Sequence, residues 1–372
     1  MSGLEGIAAS CLGCQKPNCE AHCPLHNPIR DCLRLFREGK KEQAAELLYS
    51  HNPFPELTGS LCEGFCAASC IKRFRGEGIS FAEVERQIAQ YPRKITKEKP
   101  NGRKIAIIGA GPAGLACAYS LAISGFSVEV FEREREIGGC LYCFIPEFRF
   151  DLSLLSRIRK SLELLGVKFH LGVEASYPLQ GFDETVLAVG ALEPRIGGFA
   201  LSSKIQTGLS FLYGLRHQGL KVEKGERYYV YGGGNVALDA LRSIARDGGE
   251  ATLVYRRSQA EMPGDHRMLS LALEEGAKAN FLHCIVSASE DYLSIAPTHL
   301  GEVGEDGRRN FEVDESKAAP FPYDHLILCL GQTSRHLGEE NAIGDAKEGA
   351  KDVASAIASG LEFASSAKRR FS

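Results

Sequence analysis

Cysteines concentrated near the start of the chain are its clearest chemical feature. Eight of the thirteen cysteines lie in the first 70 residues. Seven of the eight form two groups: Cys11, Cys14, Cys19 and Cys23, then Cys62, Cys66 and Cys70. Several thiolates at short spacing can bind one iron–sulfur cluster together. The first group, C-x2-C-x4-C-x3-C-P, departs from the bacterial ferredoxin spacing in the middle but keeps the closing Cys-Pro. Seven thiolates are one short of two four-cysteine clusters.

Structural zinc is the alternative use for these thiols. No well-spaced histidine pair accompanies them, so the pattern fits zinc less well than iron–sulfur clusters. A disulfide framework is not expected in a reducing compartment. Cys32 lies in the apolar phase of a helical stretch and is interpreted as a core residue.

The first nucleotide-binding pattern is GAGPAGL, with Gly109, Gly111 and Gly114 between an apolar strand and a helix of small residues. Such glycines allow a tight turn, close approach of backbone amides to a pyrophosphate, and close helix packing. Glu132 ends the next predicted strand, where a carboxylate accepts ribose hydrogen bonds and repels a 2′-phosphate. The alternative is a turn with only a structural role.

The second pattern uses Gly232, Gly234 and Ala237. Its following strand ends in Arg256 and Arg257, and guanidinium groups there suit the 2′-phosphate of NADP. A solvated basic strand end is the alternative. Two such units predict two bound nucleotides.

Short helices must position the cysteines. The stretches PIRDCLRLFREG, KKEQAAELLYS and FAEVERQIAQ have helical periodicity, and the charged YPRKITKEKPNGRK that follows is typical of a linker. Alternating strand and helix signals then predict doubly wound α/β domains. We predict a helical domain over 1–95, a first nucleotide-binding domain over 96–191 plus 323–372, and a second over 192–322. The polar stretch from about 286 to 322 is the least readable part of the chain by these pattern rules.

Composition excludes several function classes. The chain has 372 residues, 44% hydrophobic and 24% charged, with a net charge of -3, so no basic field for nucleic acid is expected. No apolar run approaches the roughly 18 residues of a membrane span. The first residues, MSGLEGIAAS, lack the features of an export signal, which predicts a cytoplasmic protein.

Taken together, these motifs resemble the glutamate synthase small (beta) subunit family. The resemblance rests on the cysteine pattern and on GAGPAGL, GGCLYCFIPEFR, VYGGGNVALDA, VYRRSQAEMP and IGDAKEGAKDVASAIASG, and it covers nearly the whole chain. That family includes the large subunit of NADH-dependent ferredoxin:NADP oxidoreductase and the N-terminal half of dihydropyrimidine dehydrogenase. It implies an α-helical domain with two iron–sulfur clusters, followed by two Rossmann-like domains for FAD and NADPH.

The resemblance also implies site residues. One 4Fe–4S cluster is held by Cys11, Cys14, Cys19 and Cys70, and the other by Cys23, Cys62, Cys66 and the carboxylate of Glu85. On the alternative interpretation Glu85 is a solvated helix residue. FAD is expected at Gly109, Gly111, Pro112, Ala113, Gly114, Glu132, Gly139, Gly344 and Asp345. NADP(H), or alternatively NAD(H), is expected at Gly232, Gly234, Asn235, Val236, Arg256 and Arg257.

Function then follows as an expectation. The resemblance predicts an NAD(P)H-dependent flavoprotein that exchanges a hydride between NADPH and FAD and passes single electrons through the clusters to a partner redox subunit, in a hetero-oligomer. Electron bifurcation, or a structural relay role without NAD(P)H turnover, are the alternatives. Cys140 and Cys143 are either packed thiols or a redox pair near the flavin.

Overall fold

The chain divides into two compact units. The structure is a computed structural model that describes residues 3–304 and 307–371. One unit comprises Met1–Tyr142, Glu147–Ala191 and Ser334–Ser372, and the other Cys143–Pro146 and Leu192–Thr333. Among the helices of the described residues, none is both long and apolar enough to cross a bilayer.

Short helices form the first part of the first unit. They are α1 (Gly3–Ala9), α2 (Asn18–Ala21), α3 (Ile29–Arg37), α4 (Lys41–Tyr49), α5 (Pro55–Leu61), α6 (Phe65–Ala68), a 3-10 turn (Ile71–Arg75) and α7 (Ala82–Ile88). The three helical stretches expected from periodicity are therefore present. Leu33, Leu48 and Ile88 are fully buried where α3, α4 and α7 meet. Cys32 is also fully buried in this core, as its apolar phase predicts.

A parallel four-stranded sheet in the order β3-β2-β1-β4 forms the rest of the first unit. Its strands are β1 (Lys104–Ile108), β2 (Ser127–Glu132), β3 (Lys168–Leu171) and β4 (Glu184–Leu187). The helices are α8 (Pro112–Ile123), α9 (Cys140–Cys143), α10 (Ser153–Leu164), α14 (Asp345–Glu348) and α15 (Val353–Arg370). Gly360 of α15 packs so closely on α8 that a Cβ there would lie 2.2 Å from the Ala113 oxygen.

The helical part packs against this sheet unit through aromatic contacts. The Arg93 guanidinium lies 4.9 Å from the ring centroid of Tyr49 on α4 and 4.7 Å from that of Tyr119 on α8. Phe54 also meets Tyr119 edge to face. The predicted linker therefore carries a residue that ties the cysteine-rich helices to the first nucleotide-binding fold.

The second unit contains a parallel five-stranded sheet in the order β6-β14-β7-β8-β9. Its strands are β6 (Ile205–Thr207), β14 (His325–Leu328), β7 (Arg227–Tyr231), β8 (Glu250–Tyr255) and β9 (Lys278–Phe281). Its helices are α11 (Gly208–His217), α12 (Asn235–Asp247) and α13 (His266–Glu274), with a 3-10 turn at Gln259–Glu261. Because β14 hydrogen-bonds with β6 and β7, residues 323–333 continue the second unit. Sequence analysis placed the return to the first unit at residue 323, whereas it comes at Ser334.

Two smaller sheets complete this unit. β5 (Glu193–Pro194) pairs with β15 (Gln332–Thr333) where the chain enters and leaves it. The stretch without a readable pattern is antiparallel: β10 (His283–Ala288), β11 (Tyr292–Val303), β12 (Arg309–Val313), a 3-10 turn (Glu315–Lys317) and β13 (Ala319–Pro322). β11 pairs with the other three strands.

Candidate functional site

The first glycine turn joins β1 to α8 with the geometry that a dinucleotide requires. Gly109 has a positive φ of 105°, and a Cβ there would lie 2.4 Å from the Ala188 oxygen. A Cβ at Gly114 would lie 2.1 Å from the Gly109 oxygen, so the helix can start this close only with glycine. Gly111 caps α8 and Pro112 is its first residue. The helix N-terminus is thus set against a compact glycine turn.

Glu132 lies at the end of β2, beside that turn. It is 6% exposed, and its Oε2 accepts a 2.7 Å hydrogen bond from the Ala110 amide. Its Oε1 accepts another, of 3.0 Å, from the Glu134 amide. Each carboxylate oxygen has a second lone pair, so the oriented carboxylate can still accept from ribose hydroxyls.

Three further predicted flavin residues approach the same turn. Gly139 faces Gly111, because a Cβ on Gly139 would lie 2.9 Å from the Gly111 Cα. A Cβ on Gly344 would lie 2.7 Å from that of Ala113. Asp345 follows, with Oδ1 accepting from the Lys351 amide at 3.2 Å, and burial raises its pKa to about 6. The structure therefore brings the predicted flavin residues of this unit to one end of its sheet.

The second glycine turn joins β7 to α12. Gly232 has a φ of 143°, and a Cβ there would lie 2.1 Å from the Cys329 oxygen. Gly234 caps α12, and a Cβ added there would meet no atom within 4 Å, which leaves its backbone open to a ligand. Asn235, the first residue of α12, accepts a 2.9 Å hydrogen bond from the Asp265 amide. Val236 is next in the helix, as the motif requires.

The two adjacent arginines after β8 have different surroundings. Arg257 is 6% exposed, and its Nε donates a 2.6 Å hydrogen bond to the Arg309 carbonyl oxygen of β12. Arg256 is half-buried, with its guanidinium 4.7 Å from the ring centroid of Phe311. The geometry favours Arg256 for phosphate contact and a structural role for Arg257. Sequence reasoning missed Phe311, because β12 lies in the stretch without a readable pattern.

The cysteine groups meet within the helical part. Cys11, Cys19 and Cys23 pack against the same core as Cys66. Burial raises the pKa of the Cys19 thiol to about 11 and that of Cys62 to about 12. Burial also raises the pKa values of Cys23 and Cys66. Deprotonation therefore needs a strong compensating interaction, which ligation to iron supplies.

The fit to a bound cluster is mixed in the described part of the chain. The Gly64 amide donates to Cys62 Sγ at 3.4 Å, the kind of hydrogen bond that tunes cluster potentials. All thirteen cysteines are free thiols, with Cys140 exposed and Cys143 buried. Within residues 3–304 and 307–371, no three histidine, cysteine or acidic side chains are grouped so that they could hold a metal ion. The two ligand sets therefore stay predictions.

Glu85 is not a solvated helix residue. It lies on α7 and is 3% exposed. One of its oxygens, Oε1, accepts hydrogen bonds from Asn27 Nδ2 at 3.2 Å, Asn52 Nδ2 at 3.0 Å and Thr58 Oγ1 at 2.8 Å. We call these three residues the Glu85 clamp. Burial raises the pKa of Glu85 to about 7, although the three donors oppose the shift.

The charge of Glu85 acts on several thiols around it. Beyond the effect of burial, it raises the pKa values of Cys23, Cys62 and Cys66, the three cysteines predicted to share a cluster with it, and also that of the core residue Cys32. Nothing in the described part of the chain hydrogen-bonds to its other oxygen, Oε2. A buried carboxylate without a cationic partner is costly, and an iron ion would supply the missing positive charge.

Comparison with known proteins identifies the family and the domains of this chain. Residues 5–97 match the family model described as dihydropyrimidine dehydrogenase domain II, 4Fe-4S cluster, and residues 107–155 match that described as NAD(P)-binding Rossmann-like domain. The oxidoreductase UacF of Escherichia coli K12 is 30% identical over 95% of this chain, which spans 65% of that protein. The glutamate synthase (NADPH) small chain of the same organism is 31% identical, covering 87% of this chain and 76% of that one.

Solved structures show the same fold. FprA from Mycobacterium tuberculosis, in a variant form, superposes with a TM-score of 0.59 at 16% identity, covering 73% of this chain and 86% of that one. The predicted fold class is confirmed: a helical 4Fe–4S domain is followed by Rossmann-like α/β units. The chain is an NAD(P)H-dependent oxidoreductase with a 4Fe–4S domain and an NAD(P)-binding Rossmann-like domain. It belongs, as its motifs predicted, to the glutamate synthase small-subunit family.

Proposed function

We propose that this chain is the electron-input subunit of a larger redox enzyme. NADPH binds the second unit, FAD binds the first, and a partner redox subunit receives the electrons. When bound, the flavin exchanges a hydride with NADPH and the 4Fe–4S clusters carry electrons one at a time. We infer the partner subunit from the name of the glutamate synthase relative, which is the small chain of an NADPH-dependent enzyme.

The observation that carries the proposal is the pair of glycine turns with opposite charges beside them. At the first turn, the Glu132 carboxylate is fixed by two backbone amides and favours a ribose with free hydroxyls. At the second, the Arg256 guanidinium offers the charge and the paired donors that a 2′-phosphate needs. This difference supports FAD at the first turn and NADPH at the second.

In the helical part, the chain's residues would hold and orient the two 4Fe–4S clusters. Cys11, Cys14, Cys19 and Cys70 would ligate one cluster. Cys23, Cys62 and Cys66 would ligate the other, and Glu85 would complete that set through Oε2 while the Glu85 clamp holds Oε1. The Arg93 contacts with Tyr49 and Tyr119 fix the cluster helices on the flavin unit.

Anaerobic stopped-flow spectroscopy tests this function. The purified chain is mixed with NADPH or NADH, and flavin absorbance is followed. Rapid bleaching by NADPH, with slower bleaching by NADH, supports the assignment. No bleaching by either nucleotide would indicate a relay or packing role without turnover. Iron and acid-labile sulfide should accompany the flavin, and zinc in their place would refute the cluster assignment.

A further inference from the structure

The loop that follows β8 is attached to the strands β11 and β12 at its start, in its middle and at its end. Thr298 Oγ1 of β11 donates a 2.7 Å hydrogen bond to the Arg256 carbonyl oxygen. The Arg309 carbonyl oxygen of β12 accepts a 2.6 Å hydrogen bond from Arg257 Nε. Arg309 Nε also lies 4.0 Å from Oε1 of Glu261, in the 3-10 turn that ends the loop. Two strands outside the parallel sheet therefore fix the loop that carries both arginines.

Phe311 lies on the face of β12 that is turned towards these arginines. It is directly opposite Leu300 of β11, and Val313 is directly opposite Thr298. Residues two apart along a strand share a face, and so do directly opposite residues of an antiparallel pair. Because Thr298 contacts Arg256, the Phe311 ring is on the same side as that arginine. Phe311 and Val313 are also half-buried, whereas the other residues of β12 are exposed.

The Phe311 ring restrains the Arg256 guanidinium while the hydrogen-bond donors of that group stay unpaired. The guanidinium carbon lies over the ring, 4.7 Å from its centroid, where the negative face of the ring attracts a cation. Within residues 3–304 and 307–371, no atom accepts a hydrogen bond from this guanidinium. A cation–π contact restrains the group without pairing its donors with an oxygen, so all five donors remain available to a phosphate.

The same ring does less for the neighbouring arginine. Its centroid is 5.6 Å from the Arg257 guanidinium, and Arg257 is 6% exposed and already donates to the Arg309 carbonyl oxygen. Arg256 is therefore the restrained arginine with free donors. A long side chain loses rotamer freedom when it binds an anion, and one that is already restrained loses less.

We propose that Phe311 is a positioning residue for coenzyme specificity, because its ring holds the Arg256 guanidinium where the 2′-phosphate of NADP(H) binds. This rests on the proposed function, which places NADPH at the second unit. NADH carries a hydroxyl group in place of that phosphate, so the ring acts on the phosphorylated coenzyme alone. A ring that only filled space would affect both coenzymes alike.

Binding of 2′,5′-ADP, compared with 5′-AMP, tests this role without any electron transfer. The two probes differ only in the 2′-phosphate, and each is titrated calorimetrically into the holoprotein. Phe311→Leu keeps an apolar side chain but removes the ring, so 2′,5′-ADP should bind about three- to tenfold more weakly. The affinity for 5′-AMP should stay within about twofold. Phe311→Tyr keeps the ring and should bind 2′,5′-ADP as the unaltered protein does.

A matched control and a second background sharpen the test. Phe321 lies on β13, opposite Leu293 of the same strand β11, and is 37% exposed. In the part of the chain that the structure describes, no arginine or lysine lies over its ring, so Phe321→Leu should leave both affinities unchanged. In the Arg256→Ala background, Phe311→Leu should change the 2′,5′-ADP affinity by less than about twofold, because the ring then has no Arg256 guanidinium to restrain.

Several results would overturn the proposal. Unchanged 2′,5′-ADP binding by Phe311→Leu would do so, and so would equal weakening of both probes. A loss that persists in the Arg256→Ala background would assign the ring to Arg257 or to the fold. A loss in Phe311→Tyr as large as that in Phe311→Leu would show that the ring is not what matters.

Flavin bleaching by NADPH distinguishes this proposal from the proposed function. Phe311→Leu should raise the NADPH concentration that gives half of the limiting bleaching rate and leave the limiting rate unchanged. If NADPH fails to bleach the unaltered protein, the electron-input function fails, and the probes still decide the role of Phe311. If bleaching is normal and Phe311→Leu discriminates between the probes as the unaltered protein does, the Phe311 proposal alone fails.

Discussion

Replacing Thr58 by Val should weaken iron binding at one cluster without disturbing the fold. Thr58 is 2% exposed, and its hydroxyl gives the shortest hydrogen bond of the Glu85 clamp, 2.8 Å to Oε1. Valine has nearly the same shape but cannot donate. The change therefore removes one donor from a buried carboxylate, and it also removes the acceptor of a 2.7 Å hydrogen bond from Asn52 Nδ2 to Thr58 Oγ1. Asn27 and Asn52 remain as donors to Oε1.

The size of the effect follows from the charge on Glu85. A hydrogen bond to a charged group contributes about 1.5–3 kcal/mol. At about 1.4 kcal/mol per factor of ten, that is about 10- to 150-fold in an equilibrium constant. Loss of a hydrogen-bond partner behind a metal ligand typically costs about 10–100-fold in metal affinity. We therefore expect the affinity for iron at one cluster, which holds about half of the bound iron, to fall at least tenfold.

Chelator challenge under anaerobic conditions measures the loss of iron from Thr58→Val. Iron release is followed against time and chelator concentration, and electron paramagnetic resonance of the reduced protein reports the ligand environment of the cluster. Ser60→Ala is the matched control, because Ser60 lies on the same helix α5 and its hydroxyl donates to the Glu56 carbonyl at an exposed site. Ser60→Ala should release iron as the unaltered protein does.

Two results would refute the reasoning at different points. Glu85→Ala should lower the iron content or alter the spectrum of one cluster. If both stay unchanged, Glu85 is not a ligand. If Glu85→Ala alters the cluster but Thr58→Val behaves like Ser60→Ala, Glu85 is a ligand and the hydroxyl does not position it.

Three further outcomes concern the second unit. Arg256→Ala should lower kcat/KM for NADPH about tenfold and leave NADH unchanged, and an equal loss with both nucleotides would contradict phosphate recognition. Glu275→Gln should lower the free energy of unfolding by about 3 kcal/mol in urea titrations, because both oxygens contact the buried Arg242 guanidinium at 2.8 and 2.6 Å. The Arg227 guanidinium lowers the pKa of Asp324 from 3.8 to about 2, so this pair stabilises the fold above about pH 4 and the contribution is lost as pH falls towards 2. As both side chains are about a third exposed, Asp324→Asn should cost only about 0.5–1 kcal/mol at neutral pH and flatten the acid dependence.

Local chemistry made much of the flavin unit predictable. Gly109 and Gly114 adopt their positions because any side chain would strike backbone oxygen, and that constraint is visible in the sequence as a glycine pattern. The acidic end of β2 was predictable for the same reason, because Glu132 follows the turn at the spacing of one βαβ unit. Gly344, by contrast, reaches this site from far along the chain, and only the family resemblance pointed to it.

Glu85 shows where local pattern fails. On α7 it lies between Val84 and Arg86, and nothing in that spacing separates a buried glutamate from a solvated one. Its burial depends on Asn52 and Thr58, which come from the turn before α5 and from α5 itself. Side chains from separate segments satisfy the carboxylate, so its burial becomes visible only when the tertiary packing is known.

The two arginines after β8 also differ only in their tertiary surroundings. In sequence Arg256 and Arg257 are equivalent donors for a phosphate. β12 makes them different, because the Arg309 carbonyl accepts a hydrogen bond from Nε of Arg257. The Phe311 ring lies near both guanidinium groups, at 4.7 Å for Arg256 and 5.6 Å for Arg257. β12 was not predictable, since it is short and mostly exposed, and its partner β11 is interrupted by a register shift. We therefore expect β12, which has no nucleotide-binding pattern of its own, to influence nucleotide preference by engaging Arg257 and leaving Arg256 available to a phosphate.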